Sequence, residues 1–344
     1  MNSKDNMQNN YLPEVVSEHI KLIIQRLEQN NDSKDAADAL CSIRRQFFFS
    51  TEEENVLPCE LYDPLGAHRY QVTPRMVHQY KNRVLILTTS KCFSHCRYCF
   101  RRSYTARTVS WLNASEIDEI CEYLKKHEEV KEALLSGGDP LTTSDEELET
   151  LILRIRQVRP GILIRLCTRA PVFMPERIND KLINLLKKLK PVWVIPHINH
   201  PVEISEEYSP ETVKALKMFI DAGIPVQSQT VLLKGVNDSV VTLEKLFHEL
   251  TCIGVKPGYL FQGDLVPGTS HFRVPVKEGV KLYEQLRCEL SGLSTPVFAV
   301  DLPDGGGKVN LLQLDSSLLN TKVSLDEENY IFKKVDTSVW KYPL

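Results

Sequence analysis

Residues 83–102 read Arg-Val-Leu-Ile-Leu-Thr-Thr-Ser-Lys-Cys-Phe-Ser-His-Cys-Arg-Tyr-Cys-Phe-Arg-Arg. The first seven form an apolar, β-branched run of strand length, and the stretch after them puts three cysteines within eight residues of a loop. Working outward, similar runs begin at Glu132, Ile162, Val192, Pro225, Lys256 and Pro296. Counted from Arg83, the successive starts lie 49, 30, 30, 33, 31 and 40 residues apart. About 30 residues is one strand, one helix and the return to a parallel strand. The segments between them carry helical periodicity: Leu148, Leu151, Ile152, Ile155; Leu182, Leu185, Leu186, Leu189; Leu243, Leu246, Phe247, Leu250. Asn113 with Glu116 and Thr143 with Glu146 read as capping boxes. Strands alternating with helices predict an α/β fold with a parallel sheet, either a complete or partial barrel or a doubly wound sheet. In a barrel, chemistry belongs at the C-terminal ends of the strands, which is where the cysteines fall.

The remainder sorts into three regions. Residues 1–80 read as an N-terminal, largely helical region. Within it the Asn-rich residues 1–10 are expected to be disordered, 14–49 to be helical, and 63–66 to turn. Residues 81–302 are the barrel core, and 303–344 a glycine-rich loop with a strand-like tail. The chain has 344 residues, with 42 Lys+Arg against 45 Asp+Glu. That balance argues against nucleic-acid binding through a broad basic surface. No apolar run is long enough to span a bilayer, and the polar N-terminus lacks the apolar stretch of a secretory signal. A cytoplasmic location, no membrane partner and no disulfide framework among the nine cysteines are therefore expected.

Cys92, Cys96 and Cys99, spaced CxxxCxxC, can converge on one metal centre. Zinc would want a fourth ligand, for which His95 is the nearby candidate. A [4Fe–4S] cluster held by three thiolates keeps one iron open for a ligand from outside the protein. Cys121, Cys167 and Cys288 fall inside predicted elements and read as small buried hydrophobes. This motif after the first barrel strand resembles the hallmark of the radical S-adenosylmethionine (SAM) superfamily. The resemblance implies a partial parallel (β/α)6-type barrel, a cluster whose open iron binds SAM, and an external reducing electron donor. Ser136-Gly137-Gly138-Asp139-Pro140, ending the second strand run, resembles the superfamily element that holds the SAM amino group.

Near the C-terminus, residues 301–308 read Asp-Leu-Pro-Asp-Gly-Gly-Gly-Lys. The phosphate-binding P-loop pattern fails twice and that reading is demoted, because Leu302 stands where its first glycine belongs and Val309 where Ser or Thr should follow the lysine. A solvated surface lysine and a lysine forming a Schiff base with pyridoxal phosphate (PLP) both remain open from these residues. The segment VDLPDGGGK resembles the PLP-lysine segment of the lysine 2,3-aminomutase family. So do the blocks at 78–83, 191–201, 229–238 and 261–276, in family order from about Leu61 to Pro343.

What the family resemblance implies is specific. Lys308 is the PLP lysine, and Tyr80 and Arg83 contact the PLP phosphate. Ser136, Gly137, Gly138, Asp139, His197 and Gln229 hold SAM. Arg101 binds the substrate carboxylate, while Asp264 and Asp301 pair with the lysine ε-ammonium. The implied reaction is interconversion of L-α-lysine and L-β-lysine by a radical 1,2-amino shift. The chain has no cysteine after Cys288, and Ser239 stands where longer family members have cysteine, so a structural zinc is not expected. Its short length and CRYCFRR also resemble the branch that supplies β-lysine to elongation factor P, which leaves a second use of the product, or another amino acid, open. A non-catalytic iron–sulfur sensor would need neither Lys308 nor the two aspartates. Self-association into a homo-oligomer is left open.

Overall fold

A short antiparallel ribbon, β1 (Gln71–Thr73) and β2 (Met76–Tyr80), precedes the seven runs read as strands. Those runs are β3 (Arg83–Thr89), β4 (Glu132–Gly137), β5 (Leu163–Thr168), β6 (Val192–Pro196), β7 (Gln227–Val231), β8 (Lys256–Phe261) and β9 (Val297–Leu302). They are followed by β10 (Gly307–Asn310), antiparallel to β9, and an antiparallel meander β11 (Thr321–Leu325), β12 (Asn329–Lys334), β13 (Val339–Pro343). The structure, a computed structural model, describes residues 12–30, 33–105, 107–311, 321–325, 329–334 and 339–343. Residues 1–10, expected to be disordered, lie outside the described residues.

The seven strands are parallel. One sheet runs β1-β2-β3-β4-β5-β6 and a second β10-β9-β8-β7, joined by the parallel bridges Val194–Val226 and His197–Gln229. Among the described residues the barrel does not close. Across its open side, side chains and loops take the place of a ladder: Tyr70 Oη donates to the Gly305 carbonyl at 2.8 Å. The Asp304 N–H donates to the Pro64 carbonyl at 2.9 Å. Gly66, at φ 58°, sits so close that a Cβ there would lie 2.5 Å from the Gly305 nitrogen.

All the periodic helical residues named above are buried in one continuous apolar core. Along β5, Ile164, Leu166 and Thr168 are buried, while Leu163, Arg165 and Cys167 are half-exposed. The same alternation in β3 and β7 marks a second, inward face open to solvent. The interior is thus a lined groove rather than the packed side-chain layers of a complete (β/α)8 barrel.

Three local expectations change. The helical stretch 14–49 is two helices, Glu18–Gln29 and Lys34–Phe47, each started by a serine cap, Ser17 and Ser33. Asn113–Glu116 is a capping box as read, but in the next unit the box is Ser144 with Glu147, one residue later. Both registers satisfy the pattern in sequence; it is Ser144 Oγ that accepts the Glu147 N–H at 3.2 Å, while the Ser144 N–H donates back to the Glu147 carboxylate at 3.3 Å. Cys121 is buried but Cys288 is exposed on its helix, so it contributes no core packing.

Candidate active site

The cysteine loop is fastened before any ligand is considered. Arg97, 1% exposed, donates through Nε and Nη2 to the two carboxylate oxygens of Glu53, both at 2.7 Å. Arg102 donates to the same carboxylate at 2.6 Å. These two arginines of CRYCFRR therefore anchor the loop on a buried carboxylate. On its other side the loop lies against the end of β4. The Asp139 N–H donates to the Lys91 carbonyl at 2.7 Å, and a Cβ on Gly138 would stand 2.1 Å from that same oxygen. Gly138→Ala is accordingly expected to push the loops apart at a cost of about 1–3 kcal/mol. The checks are a thermal melt and the iron retained after reconstitution; wild-type values in both would mean the contact is not needed.

Cys92, Cys96 and Cys99 are brought together on this loop, near enough that Cys96 and Cys99 both act on Cys92, and Cys96 on Cys99. Burial pushes the Cys92 and Cys99 thiols up, Cys92 further because Asp139 is near. Stable thiolates there need a metal's positive charge. His95 is turned away, its Nδ1 2.8 Å from the Pro13 carbonyl, and does not complete a zinc set. Asp139 accepts from Thr168 Oγ1 at 2.8 Å, from the Arg169 N–H at 2.7 Å and from the Leu141 N–H at 3.0 Å. It is held inside the protein, and burial raises its pKa. Its role is to lock the SGGDP turn to the end of β5. Ser136 Oγ accepts from Arg101 Nη1 at 2.9 Å, and burial lowers the Arg101 pKa. His197 and Gln229 meet at the bridge between the two sheets. Burial, with Arg169 nearby, drops His197 to about 3, so it is neutral, with Nε2 3.0 Å from Asn199 Oδ1.

Lys308 and Asp301 are directly opposed in the β9–β10 hairpin, and Lys308 Nζ lies 3.1 Å from Asp301 Oδ2. The ammonium also sits over two stacked rings, 3.8 Å from the Phe261 centroid and 4.9 Å from that of Tyr259. Tyr80 Oη accepts the Lys308 backbone N–H at 2.9 Å, and the Arg83 guanidinium stacks 3.9 Å over the Tyr80 ring. Burial, and then Asp301, raises Tyr80 to about 12, so it stays a neutral phenol. Asp264 shares this electrostatic neighbourhood with Asp301, Lys308 and Arg101; burial first, then Asp301, raises it to about 7. The meander braces the region: Tyr342 Oη donates to the Gly263 carbonyl, and Trp340 packs against Gly306.

The structure links the two groups through Arg101, whose guanidinium is acted on by both Cys99 and Asp264. It adds partners that the sequence reading missed. Tyr259 and Phe261 alternate on β8, a two-residue period that marks one face of a strand. Arg169 follows the end of β5, a barrel position suited to chemistry. Among the described residues, His78, His127 and Glu129 form a separate group of metal-type ligands. Both His78 nitrogens are already engaged, by Tyr123 Oη at 2.7 Å and the Lys81 carbonyl at 3.3 Å, so this group reads as a hydrogen-bonded aromatic cluster.

The soft three-thiol donor set, the close-packed glycine turn beside it and the lysine over an aromatic floor fit a radical SAM enzyme with a second, aldehyde-bearing cofactor. The Radical SAM superfamily profile matches residues 86–247. The chain is 48% identical over 333 residues to "Putative L-lysine 2,3-aminomutase" of Treponema pallidum, covering 96% of this chain and 90% of that protein. It is 41% identical over 272 residues to the L-lysine 2,3-aminomutase of Fusobacterium nucleatum, covering 79% of this chain and 63% of that one. A glutamate 2,3-aminomutase of Clostridioides difficile is 35% identical over 283 residues, 82% of this chain and 65% of that one. The chain belongs to the lysine 2,3-aminomutase family of radical SAM isomerases. The cofactors of this family are a [4Fe–4S] cluster, SAM and PLP. No helix of the described residues is long and apolar enough to cross a membrane.

Proposed function

We propose that this protein interconverts L-α-lysine and L-β-lysine. The observation that supports this most directly is the setting of Lys308 itself. The groove already holds a primary alkylammonium between the Asp301 carboxylate and two aromatic faces, with Asp264 beside them. A substrate ending in the same group needs the same compensation. Two carboxylates near one another would repel a side chain ending in a third, which disfavours glutamate.

In this reading Cys92, Cys96 and Cys99 hold the cluster. Ser136, Gly137, Gly138 and Asp139 shape the SAM cradle, with neutral His197 and Gln229 at its far edge. Lys308 is the attachment point for PLP, and Tyr80 and Arg83 offer a phenolic donor and a fixed cation to its phosphate. Bound there, the cluster and SAM supply a carbon-centred radical and PLP a π-system that spreads an unpaired electron. The chain's own residues position and shield. Arg101 presents a planar two-point grip for the substrate carboxylate. Asp264 and Asp301 fix the other end, so that the carbon chain lies stretched between opposite charges. With PLP held at Lys308, Asp301 would be free to meet the ammonium of a bound substrate in place of the Lys308 side chain. An external one-electron donor is required.

The test is anaerobic reconstitution with iron, sulfide, SAM and PLP, followed by separate incubation with lysine, glutamate and other amino acids and chromatography of the products. β-Lysine from lysine, with glutamate unchanged, is the expected result. Turnover of glutamate in preference to lysine would overturn the assignment.

A further inference from the structure

Arg169 has more buried polar partners than any role assigned above requires. It is 5% exposed, and its Nη1 donates to Cys96 Sγ at 2.9 Å and to the Tyr98 hydroxyl. Nη2 donates to Glu203 Oε1 at 2.8 Å and to Gln46 Oε1 at 2.9 Å. The guanidinium is packed among the rings of Phe173, Phe47 and Tyr98, with centroids 4.8, 5.1 and 5.6 Å away. Glu203 is 0% exposed; it also accepts from Gln46 Nε2 at 2.9 Å and from the Asn199 N–H at 3.0 Å. Asn199 in turn contacts His197. One continuous polar chain therefore runs from a cluster cysteine through Arg169 and Glu203 to a residue of the SAM cradle.

A buried ion pair is seldom the best way to stabilise a fold, since apolar residues of similar volume often do as well. Here one member of the pair touches sulfur. Hydrogen bonds and charge at cluster sulfurs are what tune reduction potential. We propose that Arg169 is a positioning residue for the iron–sulfur centre, fixing Cys96 and, in opposition to Glu203, setting the centre's reduction potential. This rests on the assignment of the cluster to Cys92, Cys96 and Cys99. Reduction adds one electron, from an external low-potential donor, to the cluster and makes the site more negative. The Arg169 cation favours that state, and the Glu203 carboxylate behind it disfavours it. The two groups are partners in stability and opponents in potential.

That opposition separates this role from a structural one. Wild type, Arg169→Gln, Glu203→Gln and the double variant are reconstituted anaerobically without SAM and titrated with a low-potential reductant, the reduced cluster being read by electron paramagnetic resonance. The midpoint is expected to become more negative in Arg169→Gln and less negative in Glu203→Gln, with the double variant between them. Shifts of the same sign in the two single variants would overturn the proposal, because lost packing alone moves both alike. If Arg169→Gln retains no iron, Glu203→Gln decides: an unchanged or more negative midpoint overturns the proposal. Wild-type protein with no cluster signal would overturn the cluster assignment itself.

Discussion

Serine at position 96 is expected to leave the protein without a stable cluster and to abolish SAM cleavage. Cys96 is the central of the three thiols, and its sulfur also receives the Arg169 guanidinium. A hydroxyl is a harder and far less acidic donor than a thiol, so it neither matches iron nor ionises readily in a buried loop. Burial already works against ionisation here, as the raised Cys92 and Cys99 thiols show. The loop itself should survive, because Arg97 and Arg102 hold it to Glu53 independently of the cysteines. The checks are iron per protein after anaerobic reconstitution, and formation of 5′-deoxyadenosine. Cys121→Ser and Cys288→Ser serve as controls that keep the cluster. The first costs some packing; the second, on an exposed helix position, costs almost none. Undiminished SAM cleavage in Cys96→Ser would mean that the motif does not hold the cluster.

Much of this site was legible because parallel strands buried by helices read as apolar runs, and because the chemistry lies where those runs end. Cys92 to Cys99 after β3, Ser136 to Asp139 at the end of β4, His197 after β6 and Asp301 on β9 all fall at that rim. The runs give spacing but not closure. That β1 and β2 extend the sheet on one side and β10 on the other depends on pairings between residues far apart in sequence. The ribbon at 71–80 stands in a mixed stretch at the end of the largely helical N-terminal region, and two short strands joined by a tight turn have no helical or βα period to reveal them. Glu53 and Gln46 were invisible for the same reason. Each is an ordinary polar residue near a helix end, and its significance comes from Arg97, Arg102 or Arg169, which lie 44, 49 and 123 residues away. Capping at Ser144 rather than Thr143 is a one-residue choice that local pattern leaves balanced. The partnership of Asp301 with Lys308 belongs to hairpin register: the tight turn of residues 303–306, with Asp304 at φ 53° and Gly305 at φ 87°, sets the two side chains opposite each other.

That partnership changes how the substrate pocket should be tested. Asp301→Asn removes a carboxylate from Lys308 as well as from any bound lysine, so loss of activity would mix two effects. Asp264, which among the described residues makes no hydrogen bond or ion pair with Lys308, is the cleaner probe. Removing one partner of a partly desolvated charge pair typically costs about 2–5 kcal/mol, or roughly 30- to 5,000-fold in kcat/KM. Asp264→Asn is expected to lose lysine turnover within that range while keeping cluster, SAM and PLP absorbance. A pH signature accompanies the loss. Burial and Asp301 raise Asp264 to about 7, so in the wild type its charge, and with it capture of the ammonium, grows as pH rises through that value. The acidic limb of the kcat/KM profile for lysine should therefore lie near neutrality and vanish in Asp264→Asn. Stability runs the other way. The folded protein keeps a proton that the unfolded chain releases near its ordinary value of 3.8, so stability contributed by this group is lost as pH rises from about 4 to 7. The Asn variant should lack that decline, and urea melts at the two ends of the window measure it. An acidic limb that persists unchanged in the variant would place the titrating group elsewhere and leave Asp264 outside the ammonium pocket.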